Sequence, residues 1–221
     1  GPGGDAGRQC GAGGIVMSGD GSIRLLLASN NGHKLAEFRR ILGGSRLAIV
    51  GAEEAEIALE VDETGATMAE NARLKALSFA AETDMAVIAD DSGLEVDALD
   101  GAPGVHSSRF AGLDSDEARN ERLLELLRNV PAGERGARFR CVVVLARGEE
   151  VLFEAEATCA GVIASDPGGS AGFGYDPIFV PDGHAESFAA LGAAAKDRTS
   201  HRARALRSFR AFIDESGESP F

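Results

Sequence analysis

The segment ARFRCVVVLARGEEVLFEAEATCAGVI (residues 137–163) constrains the fold most. It reads as two long strands joined at RGEE, a hairpin and therefore an antiparallel pair. The start of the chain demands something different. There SIRLLLAS (22–29) is an apolar run of strand length, NNGHK breaks it, and KLAEFRRIL places Leu35, Phe38, Ile41 and Leu42 on one helical face. Gly43 and Gly44 stop that helix. A strand–turn–helix unit and a later antiparallel pair together fit an α/β chain with a mixed sheet covered by helices.

The remaining segments agree. TMAENARLKALSFAAE (67–82) opens on Thr67 and Glu70, which have the spacing of a capping box. MAVIAD (85–90) is the next strand, and the Gly-rich DGAPGVHSSRFAG (100–112) reads as a loop. SDEARNERLLELLRNV (115–130) is an amphipathic helix with Leu123, Leu124 and Leu127 facing inward, ended by Pro131. Residues 51–66 are acidic and irregular, FGYDPIFVP (173–181) is a tight aromatic and proline segment, and a last helix runs through HRARALRSFRAFIDES (201–216). Residues 1–22 read as a disordered Gly-rich lead with a native start near Met17, leaving 23–221 as a single domain. The lead lacks the basic-then-apolar order of a secretory signal.

Composition narrows the function. The formal net charge of −13 argues against nucleic-acid or anionic-membrane binding. A small anionic ligand stays open if a metal ion and a few cations reverse the field in one cleft. No apolar run approaches the roughly 20 residues that span a bilayer. Cys10, Cys141 and Cys159 form no CxxC pair and read as free thiols in a reducing cytoplasm.

Ligands on such sheets gather at strand ends, and both SNNGHK (29–34) and DDSG (90–93) fall where an apolar run stops. In the first, Ser29, Asn31 and Lys34 offer a hydroxyl, an amide and a cation beside a helix N-terminus, which suits phosphate, although taken alone the segment reads first as an ordinary polar turn between strand and helix. No Walker pattern occurs. In the second, Asp90 and Asp91 are adjacent, so on a strand they point to opposite faces. One then faces a ligand while the other braces a loop or a backbone N–H. Mg²⁺ is the natural cation near such a carboxylate, because it needs only one or two protein carboxylates besides substrate phosphates. Glu63 is a second carboxylate, otherwise a solvated loop acid; Asn71 and Lys75 share one helix face. Phe173 and Tyr175 flank a glycine and offer flat surface that could stack a nucleobase, a core turn being the commoner use of such residues. Lys196, His201 and Arg202 form a cationic group in an acidic chain, with Arg202 suited to a bidentate contact to phosphate or a base carbonyl.

In order, ASNNGHKLAEF, ETGATMAENARLKA, ADDSGLEVDALDGAPGVHSSRFAG, FGYDPIFVP and KDRTSHRARAL resemble the inosine triphosphate pyrophosphatase family over residues 23 to 213. The resemblance implies an elongated mixed β-sheet flanked by helices, two lobes with a central nucleotide cleft, and a homodimer. It implies Mg²⁺-dependent hydrolysis of ITP, dITP and XTP to the monophosphate and pyrophosphate. By the same resemblance, Ser29, Asn30, Asn31, Gly32, His33 and Lys34 form a phosphate-binding turn. Glu63 is the metal-associated glutamate, Asp91 the proton acceptor and metal ligand, and Ser92 a substrate contact. Lys75 belongs to the lysine-bearing helix; Phe173, Gly174, Tyr175 and Asp176 bind the nucleoside; Lys196, His201 and Arg202 complete the site. The chain departs from the family pattern at Asp197, where Asn is usual, at His106, where Tyr is frequent, and in AALGAAAK before Asp197.

These roles give a mechanism in which Asp91 orients or deprotonates a water in line with the α-phosphorus and Lys34 and Lys75 hold phosphates. Phe173 stacks on the purine, and His201 and Arg202 read its 6-keto edge. Whether Asp91 is base, metal ligand or both stays open, and Asp90 is left a supporting hydrogen bond. A Maf-like pyrophosphatase would carry an S-x-S-P-R-R-like turn in place of SNNGHK, and a non-catalytic nucleotide binder has no need of Asp91.

Overall fold

The computed structural model describes residues 22–217, so the lead expected at 1–22 lies, apart from Ser22, outside the described residues. The elements in chain order are β1 (Ile23–Leu27), α1 (Gly32–Leu42), β2 (Leu47–Val50), α2 (Met68–Ala80), β3 (Ala86–Val96), α3 (Asp116–Leu126), β4 (Gly136–Arg147), β5 (Glu150–Ile163), β6 (Phe179–Pro181), α4 (Phe188–Leu191), α5 (Ala193–Thr199) and α6 (His201–Glu215). The six strands form one sheet in the order β2-β1-β3-β4-β5-β6. β1 runs parallel to β2 and β3, and every later pairing is antiparallel. The mixed sheet expected from the two halves of the sequence is therefore present. The RGEE hairpin closes on the pair Arg147–Glu150.

Period-two alternation separates the two faces. Ile88, Cys141, Val143 and Leu145 pack under α1 and α6 with Phe38, Leu42, Leu206 and Phe209. Val87, Ala89, Val142 and Val144 pack under α2 with Ala72, Ala76 and Phe79. A third core, containing Leu94, Phe139, Leu123, Leu127, Ile178 and Phe188, fills the other end of the sheet. Leu123 and Leu127 are buried as their spacing predicts, while Leu124 is only partly so. Thr67 caps α2 by accepting from the Glu70 N–H at 3.1 Å.

Two local expectations are corrected. The Gly-rich segment at 100–112 is not a plain loop: Gly104–Gly112 forms a 3-10 segment with a kink. More consequentially, β3 does not end at the acidic doublet but continues to Val96. The polar letters DDSG resemble a terminus because the sheet carries charge and a glycine in its interior here. Gly93 explains the glycine, because a Cβ there would lie 2.2 Å from the Gly104 carbonyl and 2.5 Å from Met68 Cε. The 3-10 segment crosses the strand at this point, and Ser107 Oγ accepts the Leu94 N–H at 2.9 Å. Gly93→Ala is expected to lower unfolding free energy by about 2 kcal/mol or more, as overpacking against backbone does. Urea unfolding measures this, and an unchanged midpoint would show that the crossing segment can move aside.

Candidate active site

Strand alternation sends the acidic doublet in opposite directions, each carboxylate into its own ion-pair system. Asp90 follows Ile88 onto the α1/α6 face and is the more deeply buried, with no side-chain exposure. Arg202 of α6 places Nε at 3.1 Å and Nη2 at 2.9 Å from Asp90 Oδ2, and Ser92 Oγ donates to the same oxygen at 2.9 Å. Lys34 Nζ lies 3.0 Å from Oδ1, a charge contact rather than a directed hydrogen bond. The other side of the Arg202 guanidinium bonds Glu37 of α1 through Nη1. Glu37 also takes Lys196 Nζ at 2.8 Å, and that ammonium reaches Asp176 at 2.5 Å. Burial alone would raise the Asp90 pKa, but Arg202, Lys34 and Lys75 hold it well below the carboxylate range. Burial likewise acts against the Arg202 charge, and Asp90 and Glu37 more than offset it. Cys141, beneath Asp90, has its thiol pushed up to about 12 by burial and the Asp90 charge, which leaves it inert.

Asp91 follows Ala89 onto the α2 face. Lys75 Nζ donates to Asp91 Oδ1 at 2.9 Å and to Glu63 Oε1 at 2.7 Å, so one ammonium serves both carboxylates. Asn71 completes this side. Its Oδ1 accepts the Gly65 N–H at 2.8 Å, fixing the loop that carries Glu63, and its Nδ2 faces Asp91 Oδ2 at 3.5 Å. Arg109 approaches Glu63 from the rim at 3.4 Å. Burial raises the Asp91 pKa; Lys75 and Lys34 pull it down, Glu63 pushes it up, and the net is upward. Glu63 is also pushed up by burial, yet Lys75 brings it below its ordinary value. The two carboxylates are thus set apart, with Asp91 the more basic.

Between these systems lies a cleft of about 210 Å³ lined by Lys34, Glu63, Asp91, Phe173, Lys196 and His201 among others. It adjoins a channel of about 380 Å³ that shares Asn31, Lys34 and Glu63 and adds Ser29, Asn30 and Lys75. Among the lining residues the Phe173 ring stacks on His33 (5.3 Å, 14°), with Lys196 Nζ 4.4 Å from its centroid. His201 is buried against Phe139 in a parallel stack at 4.6 Å. Burial and the neighbouring Arg202 and Lys196 charges depress its pKa, so the imidazole is neutral. Tyr175 is buried, its hydroxyl donating to the Ser107 carbonyl at 3.0 Å.

The structure therefore brings the sequence-predicted residues together while changing what several of them do. Asp90 is not a minor support but the hub of a buried network. Arg202 spends its fork on Asp90, Glu37 and Ser92, leaving no free pair of donors for a bidentate ligand contact. In the turn before α1, Asn31 Oδ1 already accepts the His33 and Lys34 N–H groups at 2.9 and 3.3 Å, so these are not free for phosphate. Gly32 opens α1 and lines neither cavity. Asp116 and Arg119 also line the cleft and Glu37 stands behind Lys196 and Arg202, none of them singled out by the sequence. Glu37 carried a signal, an acid beside Phe38 on the inward side of a helix; Asp116 and Arg119 look like any capped, charged first turn. Asp197, unusual by resemblance, pairs with Arg40 of α1 at 2.7 and 3.2 Å and ties α5 to α1 beside Lys196.

The profile of the Ham1 family matches residues 25–212. The chain belongs to the Ham1 family. Among its relatives, the dITP/XTP pyrophosphatase of Nocardia farcinica is 50% identical over 190 residues, covering 83% of this chain and 91% of the relative. That of Halalkalibacterium halodurans is 40% identical, covering 86% and 98%. The solved Ham1 protein of Staphylococcus aureus superposes with a TM-score of 0.77 at 39% identity, covering 87% of this chain and 99% of that one. The nucleoside-triphosphatase / dITP/XTP pyrophosphatase of Mycobacterium abscessus gives 0.67 at 42% identity, covering 85% and 98%.

In this Ham1-family chain the charge balance of the cleft bears on a metal. Glu37, Glu63, Asp90, Asp91 and Asp176 interleave with Lys34, Lys75, Lys196 and Arg202, and each of these cations already faces a protein carboxylate. A polyphosphate entering such a set needs a counter-ion of its own. No group of three or more His, Cys, Asp or Glu side chains stands ready to cage a metal among the described residues. Asp91 and Glu63, within two hydrogen bonds of each other through Lys75, nevertheless form the pair of oxygen donors that suits Mg²⁺ when phosphates supply the rest. The donor set fits. No helix of the described residues is long and apolar enough to cross a membrane.

Proposed function

We propose that this chain hydrolyses ITP, dITP and XTP between the α and β phosphates, giving the monophosphate and pyrophosphate, and so clears these non-standard purines from the nucleotide pool. One observation carries the reading. A buried carboxylate of raised basicity, Asp91, lines the same cleft as the Phe173 ring and the cations Lys34 and Lys196. Kinship with dITP/XTP pyrophosphatases at 40–50% identity supports the substrate class.

In this mechanism a water held by Asp91 attacks the α-phosphorus. Its proton passes to the Asp91 carboxylate, a P–O bond forms at the α-phosphorus, and the bond to the α–β bridging oxygen breaks. Asp91 has Lys75 on one oxygen and Asn71 near the other, so its direction is fixed before substrate arrives. Lys34 lines both the cleft and the channel and Lys75 the channel, where they stabilise charge on the leaving pyrophosphate. Mg²⁺ held by Asp91 and Glu63 would neutralise phosphate charge and acidify a bound water. Phe173 takes the purine face, and the neutral His201 can accept or donate one hydrogen bond at the base edge without adding charge.

Pyrophosphate release with Mg²⁺ across ITP, XTP, dITP, GTP, ATP and TTP tests the reading. ITP, dITP and XTP are expected to exceed the others by about 100-fold in kcat/KM. Equal rates on GTP and ATP would overturn the substrate class, and absence of pyrophosphate from every nucleotide would overturn hydrolysis.

A further inference from the structure

We propose that α3 clamps the Phe173–Asp176 turn, with Asp116 and Asn120 as positioning residues for the nucleobase; this rests on the nucleotide reading above. Both peptide groups of Gly174 are taken by α3. Its N–H donates to Asp116 Oδ2 at 2.6 Å, and its carbonyl accepts from Asn120 Nδ2 at 3.0 Å. Asp116 and Asn120 are four apart and share a helix face, so one rigid element grips both sides of one residue. Asp116 is itself aimed: its Oδ1 takes Arg119 Nη2 at 2.5 Å, and Arg119 Nη1 bonds the Leu113 carbonyl at 2.6 Å. Ser115 caps the helix, accepting the Ala118 N–H at 3.1 Å.

The grip falls where the chain is least able to hold itself. Gly172 and Gly174 are both left-handed, at φ +81° and +62°, and Phe173 sits between them. A turn with two such glycines has wide backbone freedom, and ordering it on binding would weaken the ligand. Asp176 restrains the turn from within, its Oδ2 accepting the Phe173 N–H at 2.9 Å and Lys196 Nζ at 2.5 Å. α3 supplies the outer restraint and so fixes the plane of the Phe173 ring. Among the described residues the side-chain hydrogen bonds and ion pairs of Lys34, Lys75 and Asp91 go to Asp90, Glu63, Asn71 and one another, none to α3, so the phosphate end of the cleft is held separately.

Steady-state kinetics with dITP and inhibition by inorganic tripolyphosphate separate the two ends. Asp116→Ala is expected to raise KM for dITP about tenfold, the scale of lost base stacking. Its kcat should stay within about threefold and the tripolyphosphate Ki should not move. Asp116→Asn keeps an acceptor for the Gly174 N–H and should return KM close to wild type. Asn120 is buried and does not line the cleft, so Asn120→Ser should give the same KM rise without removing a ligand contact. An unchanged KM in either truncation overturns the clamp, as does a tripolyphosphate Ki that weakens in parallel. If Asp116→Ala does not fold, Asp116→Ser carries the same readings. Wild-type protein that fails to turn over dITP would sink hydrolysis alone, and calorimetric affinities for dITP and tripolyphosphate would then decide the clamp.

Discussion

Asp91→Asn is expected to lower kcat by about 10³-fold, the loss typical of removing a positioned base, while the folded structure survives. Its effect on stability is the balance of two opposed contributions, the burial of Asp91 and the pairing of Lys75. Asp91's folded pKa is raised above its ordinary 3.8, so its contribution to stability is greatest below the unfolded value and is lost as pH rises through the folded one. At neutral pH the buried ionised carboxylate is therefore a cost in itself, but Lys75, whose charge Asp91 favours, loses one of its two carboxylates in the variant; with Glu63 still holding that ammonium the unfolding midpoint should stay near wild type. Activity needs that same ionised form, so the acid limb of kcat/KM in the wild type should lie above pH 3.8. Turnover within a few-fold of wild type in the variant would remove Asp91 from the chemistry. A lower midpoint would show that Lys75 depends on Asp91 more than on Glu63.

The second large effect falls on stability. Arg202→Ala leaves Asp90 and Glu37 charged and buried without their shared partner. Breaking a buried pair from one side costs about 3–5 kcal/mol, a large share of the ~5–15 kcal/mol that a domain has. The variant should unfold at markedly lower denaturant, and substrates should bind poorly even where it remains folded. Linkage gives a second reading. Asp90 is held far below the unfolded carboxylate value, so its contribution is present above that value, near pH ~3.9, and drains as pH falls toward the folded pKa. Wild-type stability should therefore decline steeply below about pH 4, and Arg202→Ala should show a shallower decline. A midpoint within experimental error of wild type would mean that Asp90 and Glu37 find water or Lys34 and Lys196 sufficient.

These two residues mark where reading a sequence and reading a structure part company. Periodicity alone places β1, α1, α2, β3, the β4–β5 hairpin and α6, because side-chain alternation and capping are local properties of a few successive residues. The same local rule sends Asp90 and Asp91 to opposite faces, which makes the doublet asymmetric on sequence grounds. It misses β2, four residues long between glycine-bearing turns, and it mistakes DDSG for a strand end. A glycine demanded by a crossing segment looks the same, in sequence, as one demanded by a turn.

What the tertiary structure decided is partnership. Arg202 meets Asp90 across 112 positions and Glu37 across 165, and Gly174 meets Asp116 across 58. Nothing local encodes such pairs, since which charge a buried cation serves depends on distances set only when the sheet and its helices close. The sequence alone thus determined the class of fold, the elements that carry the cleft and the opposite facing of Asp90 and Asp91, while the role given to Asp91 rests on family resemblance. Folding alone determined that Asp90 is a hub, that Arg202 is held by its own protein, and that α3 grips the turn beneath Phe173. Those three outcomes come from burial, which forces every charge and every exposed peptide group in the cleft to find a partner wherever the fold has brought one.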